Sequence, residues 1–178
     1  MTIPYTKREW DRLYGPDTPL PDLASLFKDD PGPIVRYGVV AAVAHPNDEY
    51  LPDHQRRYLV IRRAESVIAP GALCFPGGGI EQGESADQAV IREFREEVGG
   101  TVTVTQKIWS NTTPWRVHLD WFLGRLVTHP DSLSIDPREV AELLWITLDE
   151  LANSPDTLLS NLPFLKLYAN RSLRNGQT

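Results

Sequence analysis

Three glutamates share one face of a predicted helix in the middle of the chain. Glu93, Glu96 and Glu97 are spaced i, i+3 and i+4, so at about 3.6 residues per turn their side chains lie together. At roughly 100° per residue, Glu93 and Glu97 fall within the apolar arc of this helix and Glu96 lies at its edge. Burial of like charges is unfavourable unless something compensates them. A hard divalent cation would do so, and all-oxygen ligation favours Mg²⁺ or Mn²⁺ over Zn²⁺.

The alternative is a solvated acidic helix face with ion pairs, such as Arg92 with Glu96 at i, i+4. This alternative does not explain why two glutamates occupy the apolar side. Three glycines, 77–79, precede the helix, and glycine allows a loop to approach a ligand or a metal closely. Either Glu84 or Ser85 could cap the start of the helix. The pattern favours a loop and a helix that hold a cation together.

Composition limits the class of protein. The chain has 178 residues, which is the size of one globular domain. Cys74 is its one cysteine, so an internal disulfide and a multi-cysteine zinc site are excluded. The net charge of −6 argues against nucleic acid as a partner but allows a small phosphorylated ligand, because a metal can supply positive charge. Since no secretory signal or membrane segment is visible, we expect a cytoplasmic protein with no membrane partner.

The elements that must position the glutamates do not follow strict β-α alternation. Strands are predicted over residues 34–44, 58–61, 72–75, 101–109, 115–127 and 143–146, and helices over 84–98, 148–153 and 159–169. The strand from Trp115 alternates most clearly, with Val117, Leu119 and Trp121 on the same face. This order predicts an α+β fold with a largely mixed sheet and layered helices.

We divide the chain into an N-terminal extension (1–32), one domain (33–170) and a disordered tail (171–178). In the extension, Trp10, Leu13 and Tyr14 have a helical spacing that ends at Gly15. We interpret the extension as a segment packed on the domain surface, and a lid or dimer arm is the alternative. The oligomeric state stays open between monomer and homodimer.

The residues around the acidic helix resemble the Nudix box, the signature of the Nudix hydrolase family. Five residues separate Gly78 from Glu84, and seven more precede the run Arg92-Glu93-Phe94-Arg95-Glu96-Glu97-Val98-Gly99. Every fixed position of the box matches except the last, where Gly100 replaces an apolar residue and should weaken the packing after the helix. From average residue frequencies, a chance match is below about one in a million. The resemblance runs from about residue 34 to residue 151.

The resemblance implies a Nudix-type α/β/α sandwich with a mixed central β-sheet. It also implies Mg²⁺-dependent hydrolysis of a diphosphate linkage in a nucleoside diphosphate derivative, by water attack on phosphorus. Carried over by position, the metal ligands would be Glu93, Glu96, Glu97 and the carbonyl of Gly78. Arg92 would orient the glutamates with Glu84 as its partner, and Gly99 would be structural. The alternative is a catalytically silent Nudix-like module that binds nucleotides or proteins, although this box keeps all its glutamates.

The general base stays open, because members of the family use either a box glutamate or one on a downstream loop. Within the box the catalytic candidates are Glu96 and Glu97. The downstream candidates are Glu139 and Glu142, which precede the strand with Trp145. We favour Glu139 as an auxiliary ligand or base and place Glu142 second. Simple surface exposure is the alternative for both.

Substrate contacts are expected outside the box, where aromatic residues could stack on a base and arginines could bind phosphate. The candidates are Arg62, Arg63, Trp115, Arg116 and His118. Core packing is the alternative for the aromatic residues and solvent exposure for the arginines. Pro114, fifteen residues after Gly99, resembles a feature of some ADP-ribose hydrolases. The short chain resembles the MutT-like branch, which acts on nucleoside triphosphates, so both substrate classes stay open.

Overall fold

A computed structural model describes residues 3–21 and 33–175, with side chains through residue 168. Within these ranges the helices are α1 (Lys7–Tyr14), α2 (Ala86–Val98), α3 (Leu148–Asn153) and α4 (Leu162–Asn175). The strands are β1 (Arg36–Val43), β2 (Arg57–Arg63), β3 (Leu73–Cys74), β4 (Val102–Thr112), β5 (Val117–Leu126) and β6 (Val140–Thr147). Each strand and helix predicted from the sequence is present, with ends that differ from the prediction by no more than six residues.

The strands of the described chain form two three-stranded sheets. In the first sheet, β1 lies parallel to the middle strand β5, and β4 pairs with β5 antiparallel. In the second sheet, β2 is the middle strand and pairs antiparallel with β3 and with β6. An isolated bridge between Ala44 and Tyr58 joins the end of β1 to the start of β2. The parallel pair makes the first sheet mixed, which confirms the predicted α+β fold.

Strand β1 is buried on both faces, which explains its unbroken apolar sequence. Its alternate side chains enter two separate cores. The core against α2 contains Val39, Ala41 and Val43. The core that includes α3 and α4 contains Val40 and Ala42. In this second core Trp121 of β5 stacks on Phe164 of α4, with ring centroids 4.4 Å apart. The sheets therefore lie between α2 on one side and α3 and α4 on the other, as the sandwich requires.

Helix α2, which carries the glutamates, begins at a capping box. The Ser85 hydroxyl accepts a hydrogen bond from the Gln88 N–H, and the Gln88 side chain accepts one from the Ser85 N–H. The cap is therefore Ser85 and not Glu84. The helix ends at Gly99, whose left-handed φ of 62° is typical of a terminal glycine cap. A Cβ at Gly99 would lie 2.3 Å from Ser134 Oγ, so any side chain there would clash.

Gly100 departs from the box, which has an apolar residue at this position. The side chain of Leu133 fills the space that such a residue would occupy. A Cβ at Gly100 would lie 2.4 Å from Leu133 Cδ2 and 3.1 Å from Phe94 Cε1. Leu133 comes from the segment between β5 and β6 and packs against the core of α2. The expected weakness in packing is therefore compensated from a distant part of the chain.

We predict that Gly100→Val lowers the free energy of unfolding by about 1–3 kcal/mol, because it overpacks the contact with Leu133. Equilibrium urea unfolding measures the change. Leu133→Ala alone should also destabilise, since it leaves a void. The double variant should lose less than the sum of the two single losses, because each change relieves the other. Two strictly additive losses would contradict this contact.

The two ends of the chain differ in how well their structure was predicted from the sequence. Helix α1 ends at Gly15 as predicted, and the buried Trp10 donates its indole N–H to the Thr18 carbonyl at 2.9 Å. Helix α4 continues to Asn175, so the helical backbone includes residues 171–175 of the predicted tail. The reason is that no glycine or proline follows Phe164 until Gly176.

The remaining parts of the predicted extension and tail, residues 1–2, 22–32 and 176–178, lie outside the described residues. Across the part of the chain that is described, no helix has the length and apolar character needed to span a membrane.

Candidate active site

Arg92 connects the glycine loop to the acidic face of α2. Its guanidinium donates two hydrogen bonds to the Glu84 carboxylate, at 2.7 and 3.1 Å, and one to the Gly79 carbonyl at 2.7 Å. It also donates to Glu93 at 2.9 Å and to Glu96 at 3.0 Å. The hydrogen bond from Arg92 lowers the pKa of Glu84. One planar side chain therefore holds three carboxylates and the loop in fixed relative positions.

Glu97 is the most deeply buried carboxylate of this group, with 3% of its surface exposed. Its Oε2 accepts a hydrogen bond from the Gly77 N–H at 2.8 Å. Burial raises the pKa of Glu97 to about 8, and the charge of Glu93 adds to the effect while the Gly77 hydrogen bond opposes it. Burial also raises the pKa of Glu93, against the hydrogen bond from Arg92. Two neighbouring buried carboxylates with raised pKa values are stabilised in their charged form by a nearby positive charge.

Gly78 is the contact between the loop and Glu93. A Cβ on Gly78 would lie 2.3 Å from Glu93 Cδ, so a residue with a side chain could not approach the carboxylate this closely. The Gly78 carbonyl accepts a hydrogen bond from the Val39 N–H at 2.9 Å and keeps a second lone pair. Strand β1 therefore anchors the loop backbone against the acidic helix face.

The donor chemistry of the cluster fits a hard divalent cation, but the carboxylates do not converge on one point. Among the described residues, no three Asp, Glu, His or Cys side chains form a ready-made metal site. Glu93 and Glu96 each use one oxygen for Arg92, and Glu97 uses one for Gly77. These separate partners hold the like charges apart. The second oxygen of each carboxylate makes no hydrogen bond to a described residue, so three hard donors are left.

The two downstream glutamates lie in different surroundings. Glu139 is exposed in the turn before β6. Its charge adds to the burial that raises the pKa of Glu93 and of Glu97. Glu142 lies on β6, where its carboxylate accepts a hydrogen bond from Arg62 Nε at 3.0 Å. The charge of Glu139 therefore acts on the acidic cluster, while Glu142 is paired with Arg62.

A cavity of about 470 Å³ borders the glycine loop. Residues 77–79 line it, and the same residues contact Glu97, Glu93 and Arg92. Its aromatic and apolar lining includes Tyr5, Tyr37, Ile68, Trp115 and Leu119, and its basic residues are Arg36 and Arg63. An apolar chamber that ends at a glycine loop beside carboxylates suits a ligand with a flat apolar part and a phosphate chain.

The two adjacent arginines at the end of β2 have different surroundings. Arg63 lines the cavity, and its charge opposes the raised pKa that burial imposes on Glu97. Arg62 instead donates to Glu142 at 3.0 Å and to the Gly71 carbonyl at 3.1 Å. The register of β2 against β6 shifts between the two residues. Arg63 alone of the pair lines the cavity, and substrate contact by Arg62 stays a prediction.

Of the three candidates around the β4–β5 turn, Trp115 alone lines the cavity. Arg116 is exposed, with a left-handed φ of 60°. His118 alternates with the cavity-lining Val117 and Leu119, and its Nδ1 lies 3.2 Å from Thr112 Oγ1. Neither Arg116 nor His118 lines this cavity, and their contact with a substrate stays a prediction.

Sequence analysis missed Asn161, which lines the cavity immediately before α4. The side chain is buried, and its Nδ2 has no hydrogen-bond partner among the described residues. An unpaired buried donor is unfavourable and Asn161 lines the cavity, so this residue is a candidate contact for a hydrogen-bond acceptor on a ligand. A single asparagine has no spacing signal. The one available cue was its place before Leu162-Pro163, a typical helix start.

This combination of sandwich fold, glycine loop and acidic helix defines a known class of protein. The family model described as the NUDIX domain matches residues 43–168, which include the glycine loop, α2, Glu139 and Asn161. The chain belongs to the Nudix hydrolase family.

Individual relatives match the chain over different lengths. Nucleoside triphosphatase NudI of Salmonella paratyphi B is 41% identical over 105 residues, which are 58% of this chain and 66% of that protein. NAD-capped RNA hydrolase NudC of Pseudomonas aeruginosa is 32% identical over 109 residues, 54% of this chain and 37% of that protein. This chain thus spans well under half of the second relative. The crystal structure of the MutT protein from Methanosarcina mazei has a TM-score of 0.62 at 19% identity and covers 82% of this chain and 97% of that one, which shows a shared fold.

Proposed function

We propose that the protein hydrolyses a diphosphate linkage in a nucleoside diphosphate derivative, with a divalent cation and by water attack on phosphorus. Mg²⁺ is the proposed cation and Mn²⁺ the second choice. The observation that carries this proposal is the burial of Glu97 beside Glu93, at a loop that also borders a cavity. Carboxylates buried together are unfavourable unless they meet positive charge, and this site offers room for such a charge next to a ligand.

The residues of the cluster have separate proposed tasks. Glu93, Glu96, Glu97 and the Gly78 carbonyl would hold the cation. When bound, the cation supplies positive charge to phosphate oxygens and makes water more acidic. Arg92 is a positioning residue, because it binds Glu93 and Glu96 directly. Arg63, at the wall of the cavity, would bind the phosphate chain.

We propose Glu139 as the group that accepts the proton from the attacking water. Its placement supports this role, because its charge acts on Glu93 and Glu97 while its carboxylate makes no hydrogen bond to a described residue. Glu96 and Glu97 are the alternatives within the box. Glu142 is the weakest candidate, since Arg62 already binds its carboxylate.

The nucleoside part of the substrate would occupy the cavity. Similarity to the relative named as a nucleoside triphosphatase favours a nucleoside triphosphate as the substrate of this protein. The relative named for NAD-capped RNA favours a nucleoside diphosphate joined to a second group, which is the chemistry of an ADP-sugar. We propose these two substrate classes in that order, for a cytoplasmic monomer or homodimer.

The test is release of phosphate or pyrophosphate from a substrate panel, with Mg²⁺ and with excess chelator. The panel contains ribo- and deoxyribonucleoside triphosphates, oxidised dGTP, ADP-ribose, ADP-glucose, dinucleoside polyphosphates and NADH. We expect metal-dependent turnover of at least one member. Silence across the panel, in a protein that binds no Mg²⁺ by titration, would refute the assignment of Glu93, Glu96 and Glu97.

The second candidate function is a catalytically silent module that binds a nucleotide or a protein. One observation favours it: within the described chain, the carboxylates do not converge into a metal site. It predicts nucleotide binding that is independent of Mg²⁺ and without turnover. The complete set of box glutamates favours the enzyme, because a silent module has no need of a buried Glu97.

A further inference from the structure

The N-terminal extension reaches the cavity through Tyr5. The Tyr5 side chain lines the cavity, and its backbone is fixed independently of the ring. The Tyr5 carbonyl accepts a hydrogen bond from the Leu159 N–H at 2.8 Å, and Thr6 forms an antiparallel bridge with Leu158. The Tyr5 N–H donates to the Glu9 carboxylate at 2.7 Å. The ring is therefore held in place by main-chain contacts that a substitution of the side chain would leave intact.

The Tyr5 ring stacks on Trp115, with centroids 4.8 Å apart and planes 18° from parallel. Trp115 lines the same cavity from the β4–β5 turn. The neighbouring Arg116 has an unfavourable left-handed φ, and its carbonyl accepts a hydrogen bond from the Val35 N–H at 2.9 Å. Strain of this kind persists where the surrounding structure enforces it, often at ligand sites. Here the strained residue directly follows Trp115.

Exposed apolar residues gather at this cavity. Val35, Tyr37 and Ile68 line it although 53%, 56% and 58% of their surfaces are exposed. Exposed apolar side chains that cluster around one opening mark a binding site more often than a free surface. Asn161, whose buried Nδ2 has no partner among the described residues, lines the same chamber. Flat rings together with an unused donor match a nucleobase better than an aliphatic group, which would leave the amide unpaired.

We propose that Tyr5, backed by Trp115, forms a wall on which the nucleobase of the substrate stacks, so that the N-terminal extension takes part in substrate selection. This inference rests on the proposed function. Bases stack on aromatic side chains with useful affinity because every base has a flat face. Tyr5 lies outside the residues 43–168 that match the family model, so the extension contributes the Tyr5 side of the wall, and Trp115 belongs to the matched domain.

Binding of nucleoside monophosphates tests the wall, because they have a base but no diphosphate linkage to cleave. Calorimetric titration with AMP, GMP, CMP and UMP, in Mg²⁺, is compared with titration by ribose 5-phosphate, which has no base. We expect Tyr5→Ala and Tyr5→Leu to weaken the best-bound nucleotide about tenfold and to leave ribose 5-phosphate unchanged. Tyr5→Phe should bind like the wild type. Tyr50→Ala is the matched control, since Tyr50 is 95% exposed and lies outside the cavity lining.

The outcomes separate this inference from the proposed function. Unchanged nucleotide affinity in both Tyr5→Ala and Tyr5→Leu overturns the inference, and so does a wild type that binds no nucleotide. An equal loss of affinity for the nucleotide and for ribose 5-phosphate also overturns the inference, because that result indicates a general structural effect. Hydrolysis by the wild type with a KM that is independent of Tyr5 overturns the wall and leaves the enzyme standing. Binding that depends on Tyr5, without any metal-dependent hydrolysis, supports the wall and refutes the enzyme.

Discussion

Glu97→Gln is expected to lower kcat roughly a hundredfold to a thousandfold, the scale on which one preorganised electrostatic group contributes. The substitution keeps the shape of the side chain, and the amide oxygen can still accept the hydrogen bond from Gly77. What it removes is a negative charge at the position where we propose that the cation binds. Steady-state kinetics over a range of Mg²⁺ concentrations measures the effect.

The same variant should keep or gain thermal stability, because a neutral amide is easier to bury than a carboxylate whose pKa burial has raised to about 8. Loss of activity without loss of stability distinguishes a functional charge from a structural one. Glu142→Gln is the matched control, since this exposed glutamate binds Arg62 away from the cluster. A Glu97→Gln protein with near-full turnover and unchanged Mg²⁺ dependence would refute the assigned role.

Helix α2 shows how much of the site local sequence determines. The spacing of its glutamates, the cap at Ser85 and the glycine at position 99 are all relations between near neighbours. The sequence limited the cap to Glu84 or Ser85, and the structural role of Gly99 was implied by the resemblance to the family. Burial of Glu97 could also be anticipated, because the residue falls within the apolar arc of the helix. The partnership of Arg92 with Glu84 spans eight residues and a turn, so it came from the resemblance to the family and not from periodicity.

Contacts made by the ends of strands and by loops could not be predicted from relations between near neighbours in the sequence. Arg62 and Arg63 look equivalent in the sequence, and the register shift between them decides which one lines the cavity. Asn161 is buried and unpaired because segments far apart in the chain enclose it. Tyr5 reaches Trp115 through backbone pairing with the segment before α4. Each of these positions depends on how distant segments dock, and periodicity contains no such information.

Arg92→Lys is expected to lower kcat at least tenfold and to raise the Mg²⁺ concentration needed for half-maximal activity. The guanidinium donates to Glu84, Glu93, Glu96 and the Gly79 carbonyl at once, and a planar fork is needed to reach all four. A lysine ammonium keeps the charge but is a single point with three donors. Some of the carboxylates would then lose their partner and repel one another, so we also expect the free energy of unfolding to fall by about 1–3 kcal/mol.

A positioning role for Arg92 predicts a further result that a purely structural role does not. Since Arg92 acts through the glutamates, excess Mg²⁺ should restore part of the lost activity without restoring the melting temperature. Arg95→Lys is the matched control, because Arg95 is exposed on the same helix. Coupling between Arg92→Lys and Glu84→Gln in a double-mutant cycle would show that the pair acts as one unit. If Arg92→Lys keeps wild-type turnover and Mg²⁺ dependence, the arrangement of the glutamates must depend on the glycine loop and not on this arginine.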